Sequence, residues 1–218
     1  MKKGIDWSNY FIELIIVIIG ISVAFWLNNI GERHKAKKQE ISYLIDIKND
    51  LKKDSLKLSY NIINNKKKSK KLKYGLNLVK EKAPVDSVFP YIIEIGNYAF
   101  FTPDNFTLIS LLQSGDFKLI ESKKIKRELL RLLQRYESID NMQKNLLQAL
   151  DDNFFPLLHT KVDISEFKVV DPDFLYGLEV KNFMAFTLNE TSQHISNYTH
   201  AQNQINKVME LLEIELKN

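Results

Sequence analysis

Four histidines, His34, His159, His194 and His200, are the side chains best suited to proton transfer or metal binding near neutral pH. Their spacing does not organise that chemistry. His194 and His200 are six residues apart, so they do not share a helix face closely, and Glu190 could join them only through the tertiary fold. Asp46 with Asp50, and Asp151 beside Asp152, are carboxylate pairs that could hold a cation, but neighbouring acids on a helix are ordinarily solvated surface. No H-E-x-x-H, Walker loop, G-x-S-x-G or G-x-G-x-x-G pattern is present. The absence of cysteine excludes a disulfide framework, a thiolate zinc site and a cysteine nucleophile. The sequence therefore nominates no catalytic residue, no cofactor and no metal site, and it leans away from an enzyme.

The strongest charge feature is a basic run: Lys66, Lys67, Lys68, Lys70, Lys71 and Lys73. Such a run can contact an anionic surface, lipid headgroups above all. Nucleic acid is disfavoured, because only Tyr74 stands close enough to offer a stacking ring. The plainer reading is a solvated helix face.

What would position these residues begins with Phe11–Leu27, the one stretch suited to lipid. It is about 17 residues long, or about 26 Å as a helix, near the short limit for a membrane span. Trp7 and Tyr10 at one end and Trp26 at the other suit the headgroup level, and Asn28-Asn29 closes the run. Glu13, Gly20 and Ala24 fall on one helix face, and the small pair Gly20 and Ala24 would let a second helix approach closely. That face is the candidate seam for self-association or for a membrane-protein partner; the alternative for Glu13 is that it lies near the boundary and reaches water. Lys2 and Lys3 precede the span, whereas Arg33, Lys35, Lys37, Lys38 and Lys48 follow it, which leans the soluble body toward the cytoplasmic side of a bacterial inner membrane. A rival reading is a cleaved signal peptide, with Lys2 and Lys3 as its basic start and Ser22-Val23-Ala24 as the cleavage site.

Beyond the span, helical signals dominate. The chain of 218 residues has 7 Gly and 5 Pro, with 44% hydrophobic and 27% charged residues and a net charge of +4, a globular composition with few breakers. From about Arg33 to Lys82 no proline occurs, and Leu44, Leu51 and Leu58 recur at heptad spacing. This predicts one long helix, or two broken near Asn64-Asn65 or Gly75. Ser87 is placed to cap a short helix to about Tyr98, with Pro90 in its first turn. Thr102-Pro103-Asp104 and Gly115 bound a compact helix over 103–114. Ser122 opens a long amphipathic helix that Pro156 kinks or ends, Thr160–Val170 reads as a loop with a short strand, Asp171-Pro172 as an N-cap followed by a first helical residue, and a last helix runs from about Glu179 to Leu216. The expected fold is all-α: an N-terminal transmembrane helix continuing into a long stalk helix and an antiparallel helical bundle. The divisions are a tail over 1–10, the membrane helix over 11–29, a coiled-coil-like stalk over 30–82, and a bundle over 83–218 that packs with the stalk.

The segment E-L-I-I-V-I-I-G-I-S-V-A-F-W-L-N-N, with Glu32, Tyr43-Leu44 and Asp50-Leu51 after it, resembles a family of single-span bacterial membrane proteins of unknown function, common in Bacteroidota. The later S-G-D-F-K-L-I, Ser114 to Ile120, is similar to the same family. Relatives often carry a longer basic N-terminal tail than the one here. The resemblance implies an anchor and a helical fold and supplies no activity. The expected role is that of a scaffold, accessory subunit or sensor-like module acting through protein contacts, with a membrane-tethered enzyme or an anionic-lipid binder as alternatives.

Overall fold

The computed structural model describes residues 7–217. Lys2 and Lys3 lie outside the described residues, as do the side chains of Trp7 and Tyr10. The fold is all-α, and its frame is one continuous helix, α1, Trp7–Lys80, of 74 residues. At 1.5 Å per residue it is about 110 Å long. Of the two readings, one long helix or two, the single helix holds, with no break near Asn64-Asn65 or Gly75. The Asn61 amide donates to Lys57 O at 3.1 Å and that of Asn65 to Asn61 O at 2.9 Å, so two residues that favour turns bond back into the helix.

Helix α1 has two halves in different surroundings. Through Gln39 nearly every described side chain is exposed, and burial begins abruptly at Glu40. From there the helix walls a bundle. After a turn at the far end, α2 (Val85–Gly96), an extended connector and α3 (Phe106–Ser114) run back along it. Helices α4 (Lys123–Ala149) and α5 (Phe155–Lys161) climb again, and α6 (Leu178–Glu215) descends to the starting end. The layout is up-down-up-down, with short connections.

The core follows a strict alternation of three and four residues. On α1 the buried positions are Glu40, Leu44, Ile47, Leu51, Asp54, Leu58, Asn61, Asn65, Lys68, Leu72, Gly75 and Val79. Helix α6 repeats the pattern from Val180 through Thr187, Thr191 and His194 to Leu212. This three-four spacing places the buried residues of each helix on one face, turned into the bundle. The heptad leucines Leu44, Leu51 and Leu58 are all buried in this bundle against α4 and α6.

Local departures from the expected elements have physical causes. Helix α2 starts at Val85 behind Pro84, not at Ser87, so Pro90 lies inside it beyond the first turn. Helix α3 starts at Phe106, because the Asp104 N–H is held by the Asp54 carboxylate at 2.6 Å and Asn105 becomes the cap. Gly115 ends it in the left-handed region at φ 79°, as its position after the last apolar residue implies. Ser122 caps α4 by accepting from Ile125 N. Ahead of Pro156 the helix widens into a π turn over Leu150–Phe154, which admits the proline and lets the chain continue helical to Lys161. The loop after it forms a small antiparallel hairpin pairing Val162 with Val169. Asp171 precedes a short 3₁₀ turn, Pro172–Tyr176, that leads into α6.

Candidate functional site

Three places carry the residues that the sequence singles out. The first is the projecting half of α1. An 18-residue window of this helix has mean hydropathy 2.1 and none of it is buried, which makes it the one helix among the described residues long and apolar enough to cross a membrane. Phe11, Trp26 and Leu27 are each more than half exposed. Glu13, Gly20 and Ala24 are exposed too, and a Cβ added at Gly20 would meet nothing within 4 Å. The one hydroxyl in the run satisfies itself, since Ser22 Oγ donates to Ile18 O at 2.8 Å.

The second place is the basic run. Lys66, Lys67, Lys70, Lys71 and Lys73 are exposed, and Lys71 pairs with Glu94 at 3.0 Å. Lys68 is different: it occupies a buried position and points into the bundle, so it is not part of the exposed basic face.

That inward turn makes the third place, a polar layer between two apolar cores. The near core centres on Leu44, Leu58, Leu129 and Ile205, the far core on Leu72, Ile92, Phe154 and Met184. Between them, Lys68 Nζ donates to Asn97 O at 2.7 Å and Ile95 O at 3.2 Å, and it lies 3.0 Å from the centroid of the Tyr98 ring. It thus closes the C-terminus of α2, where carbonyls lack intrahelical partners and a cation is favoured. Burial pulls its pKa down to about 7, and the two carbonyls and the ring face work against that loss of charge. On the other side of Tyr98 stands His194, edge-on to that ring and stacked on Tyr198. Neither His194 nitrogen has a hydrogen-bond partner among the described residues. Burial, with the charge of Lys68 second, holds its pKa down at about 4. Thr187 and Thr191 stand beside the Tyr98 hydroxyl, yet none of the three hydroxyls makes a hydrogen bond of good geometry as donor or acceptor. Burial raises the Tyr98 pKa to about 12.

Gln143 completes the layer. Its Oε1 accepts from Phe101 N and from the Tyr198 hydroxyl, both at 2.7 Å, and its Nε2 donates to Phe101 O at 3.0 Å. One amide thereby ties α4, the connector after α2, and α6 together.

The layer's chemical capacity is small. A cleft of about 270 Å³ lies over Lys67, Lys68, Asn97 and Tyr98, but the Lys68 ammonium already spends its donors on two carbonyls and a ring. His200 is exposed, and Glu190 accepts from Gln193, so these two do not converge with His194. Asp50 accepts from Thr107 Oγ1 at 2.6 Å, whereas Asp46, Asp151 and Asp152 are exposed. Among the described residues no cluster of three or more metal-ligating side chains occurs.

Three buried carboxylates that the sequence did not single out act as fasteners. Glu40 accepts from Glu121 N at 2.6 Å, just ahead of α4. Asp54 accepts from Asp104 N and from the Tyr136 hydroxyl, and burial raises its pKa despite those bonds. Glu128 is held down to about 2 by the Gln204 amide first, then by Lys207 and Arg131. The signal for all three was their position in the apolar alternation.

The family model described as "Family of unknown function (DUF6090)" matches residues 13–180, from within the apolar stretch to the first turn of α6. No curated protein and no solved structure matches the chain.

Proposed function

Because the chain belongs to that family of unknown function, we propose its role from its architecture: a single-span, membrane-anchored helical bundle that works through protein contacts, as a scaffold, accessory subunit or sensor-like module. One observation carries the reading. Helix α1 passes without a break from an apolar stretch that packs on nothing to a wall of the bundle. Apolar side chains left bare in water over that length are strongly unfavourable, at about 25 cal/mol per Å². A bilayer covers them all, and the same helix then fixes where the bundle stands.

In this reading the membrane is the bacterial inner membrane. The cations after the span favour a cytoplasmic body. The face of Glu13, Gly20 and Ala24 offers a seam for self-association or for a membrane-protein partner, where a carboxyl in lipid finds company. Lys68 and Gln143 spend their polar atoms on neighbouring backbone and on the Tyr98 and Tyr198 side chains, which supports contact rather than catalysis.

Alkaline carbonate extraction of membranes tests the anchor. The intact, unprocessed chain is expected to stay with the lipid, and its mass decides between a retained span and cleavage after Ala24. Release of the full-length chain into the supernatant would remove the membrane reading.

A further inference from the structure

We infer that the end of the bundle from which α1 projects is a basic platform that docks on the anionic headgroups of the bilayer that α1 crosses. The inference rests on the anchor proposed above and goes beyond it, because an anchor alone leaves the body free to stand off from the surface.

Three elements meet at this end. Glu40 on α1 accepts from Glu121 N, Tyr43 donates to Asp116 at 3.1 Å, and Lys37 pairs with Glu215 at 3.6 Å. The start of α4, the end of α3 and the end of α6 therefore all lie beside the emerging α1. Lys35 and Lys38 on α1, Lys118, Lys123 and Lys124 around the start of α4, and Lys217 after α6 are all exposed there. The acids at the same end are largely engaged: Glu40 and Glu215 with Lys37, Glu213 with Lys48, and Asp116 with Tyr43, leaving Glu32 and Glu121 exposed among the described residues.

The start of α4 is the telling part. Its first turn holds Lys123, Lys124 and Lys126 and no acidic residue. Cations at a helix N-terminus oppose the macrodipole, so the arrangement works against the helix in water. Helical side chains also lean toward the N-terminus, which here is the membrane side. An anionic surface facing that end turns an unfavourable placement into an attractive one.

The reach fits. Leu27 and Glu40 are separated by about 20 Å of helix, and headgroups occupy roughly the first 5–7 Å beyond the hydrocarbon. Extended lysines span much of the rest, and the remaining gap is about one Debye length at physiological salt. The lysine run of 66–73 cannot share this contact, since Lys66 stands about 60 Å along α1 from Leu27.

The chain has no cysteine, so a single fluorophore can be placed at Gln113, an exposed position near the platform, through Gln113→Cys. The full chain is reconstituted into vesicles of phosphatidylcholine alone or mixed with phosphatidylserine, and energy transfer to a headgroup acceptor is measured. Transfer is expected to rise with phosphatidylserine, to fall back in high salt, and to lose its lipid dependence in a Lys118→Glu, Lys123→Glu, Lys124→Glu variant. Lys66→Glu, Lys70→Glu and Lys73→Glu together are expected to leave it unchanged. Equal transfer in both lipids from a carbonate-resistant protein overturns the platform alone, and so does loss of the effect through the 66–73 variant. Carbonate release from both vesicles overturns the anchor and the platform together. The wild-type comparison between lipids decides the matter even where the triple variant fails to fold.

Discussion

At the scale of single residues, the polar layer contains two opposite solutions to the same problem. Gln143 is buried with its hydrogen bonds made, and such an amide fixes which stretch of connector lies against which turn of α4 and α6. His194 is buried with neither nitrogen partnered, so burial favours its neutral ring. Lys68 on α1, Tyr98 on the connector and Tyr198 on α6 face it. Its pKa of about 4 lies below the free value of 6.5, so the unfolded chain binds the extra proton first. The contribution of His194 is therefore intact above about pH 6.5 and is lost as pH falls toward 4. Between pH 7.5 and pH 5 the loss comes to about 2 kcal/mol. Glu128 has the same sign in a lower window, from 4.5 down to about 2. Lys68, with its pKa lowered to about 7, adds a smaller loss of the same sign, about 1 kcal/mol. Urea unfolding in detergent at the two pH values should show a loss of about 3 kcal/mol in the wild type and about 1 kcal/mol in His194→Phe, which keeps the ring stack without the proton. An equal loss in both proteins would show that His194 is not the titrating group.

Elements were legible in the sequence wherever their signals were local. The cap at Ser122 and the stop at Gly115 follow from residues within a turn of the boundary. Tertiary decisions were not legible. Asp54, fifty residues away, takes the Asp104 N–H and moves the start of α3. The polar core was not legible from the apolar residues alone, because polar side chains occupy buried positions of the same face. The three-four alternation on α1 runs unbroken through Asp54, Asn61, Asn65 and Lys68, and spacing, more than residue type, marks them as buried. Gly75 shows the same lesson inside α1. As a mid-helix glycine it invites a break, yet it sits where Tyr91 of α2 and Met184 of α6 press on α1, and an added methyl would meet Tyr91 Cβ, with Tyr91 Cγ at 2.8 Å and Met184 Cε at 2.9 Å. Alanine there gains about 1 kcal/mol of helix propensity and loses more to overpacking. Gly75→Ala should therefore destabilise the bundle by about 1–2 kcal/mol in thermal melts, whereas Gly20→Ala, with open space around it, should leave the bundle unchanged. A raised melting temperature for Gly75→Ala would mean that α1 and α2 pack more loosely than their backbones indicate.

At the scale of the whole molecule, one rod has an exposed half and a half that walls the bundle, and the two need not share a fate. Over 40–80 helix α1 is locked by buried contacts to α2, α4 and α6, so its hydrogen bonds break only when the bundle does. Over 28–39 it is almost wholly exposed, and Lys37 pairs with Glu215 of the body. A proline in a helix interior removes one backbone bond and clashes with the carbonyl four residues earlier, a penalty of about 3 kcal/mol. Where the helix is free to kink, that penalty stays local. Where it walls a core, it is charged against the fold. His34→Pro should thus melt within about 0.5 kcal/mol of the wild type, and Ser59→Pro should lose about 3 kcal/mol or more, both followed by far-UV circular dichroism in detergent. In vesicles the same His34→Pro should still resist carbonate, because the apolar stretch is untouched, while the distance from the bundle to the bilayer becomes broadly distributed. A drop in melting as large for His34→Pro as for Ser59→Pro would show that the projecting half and the bundle unfold as one unit, and that the stalk is stiffened by contacts beyond those of its own backbone.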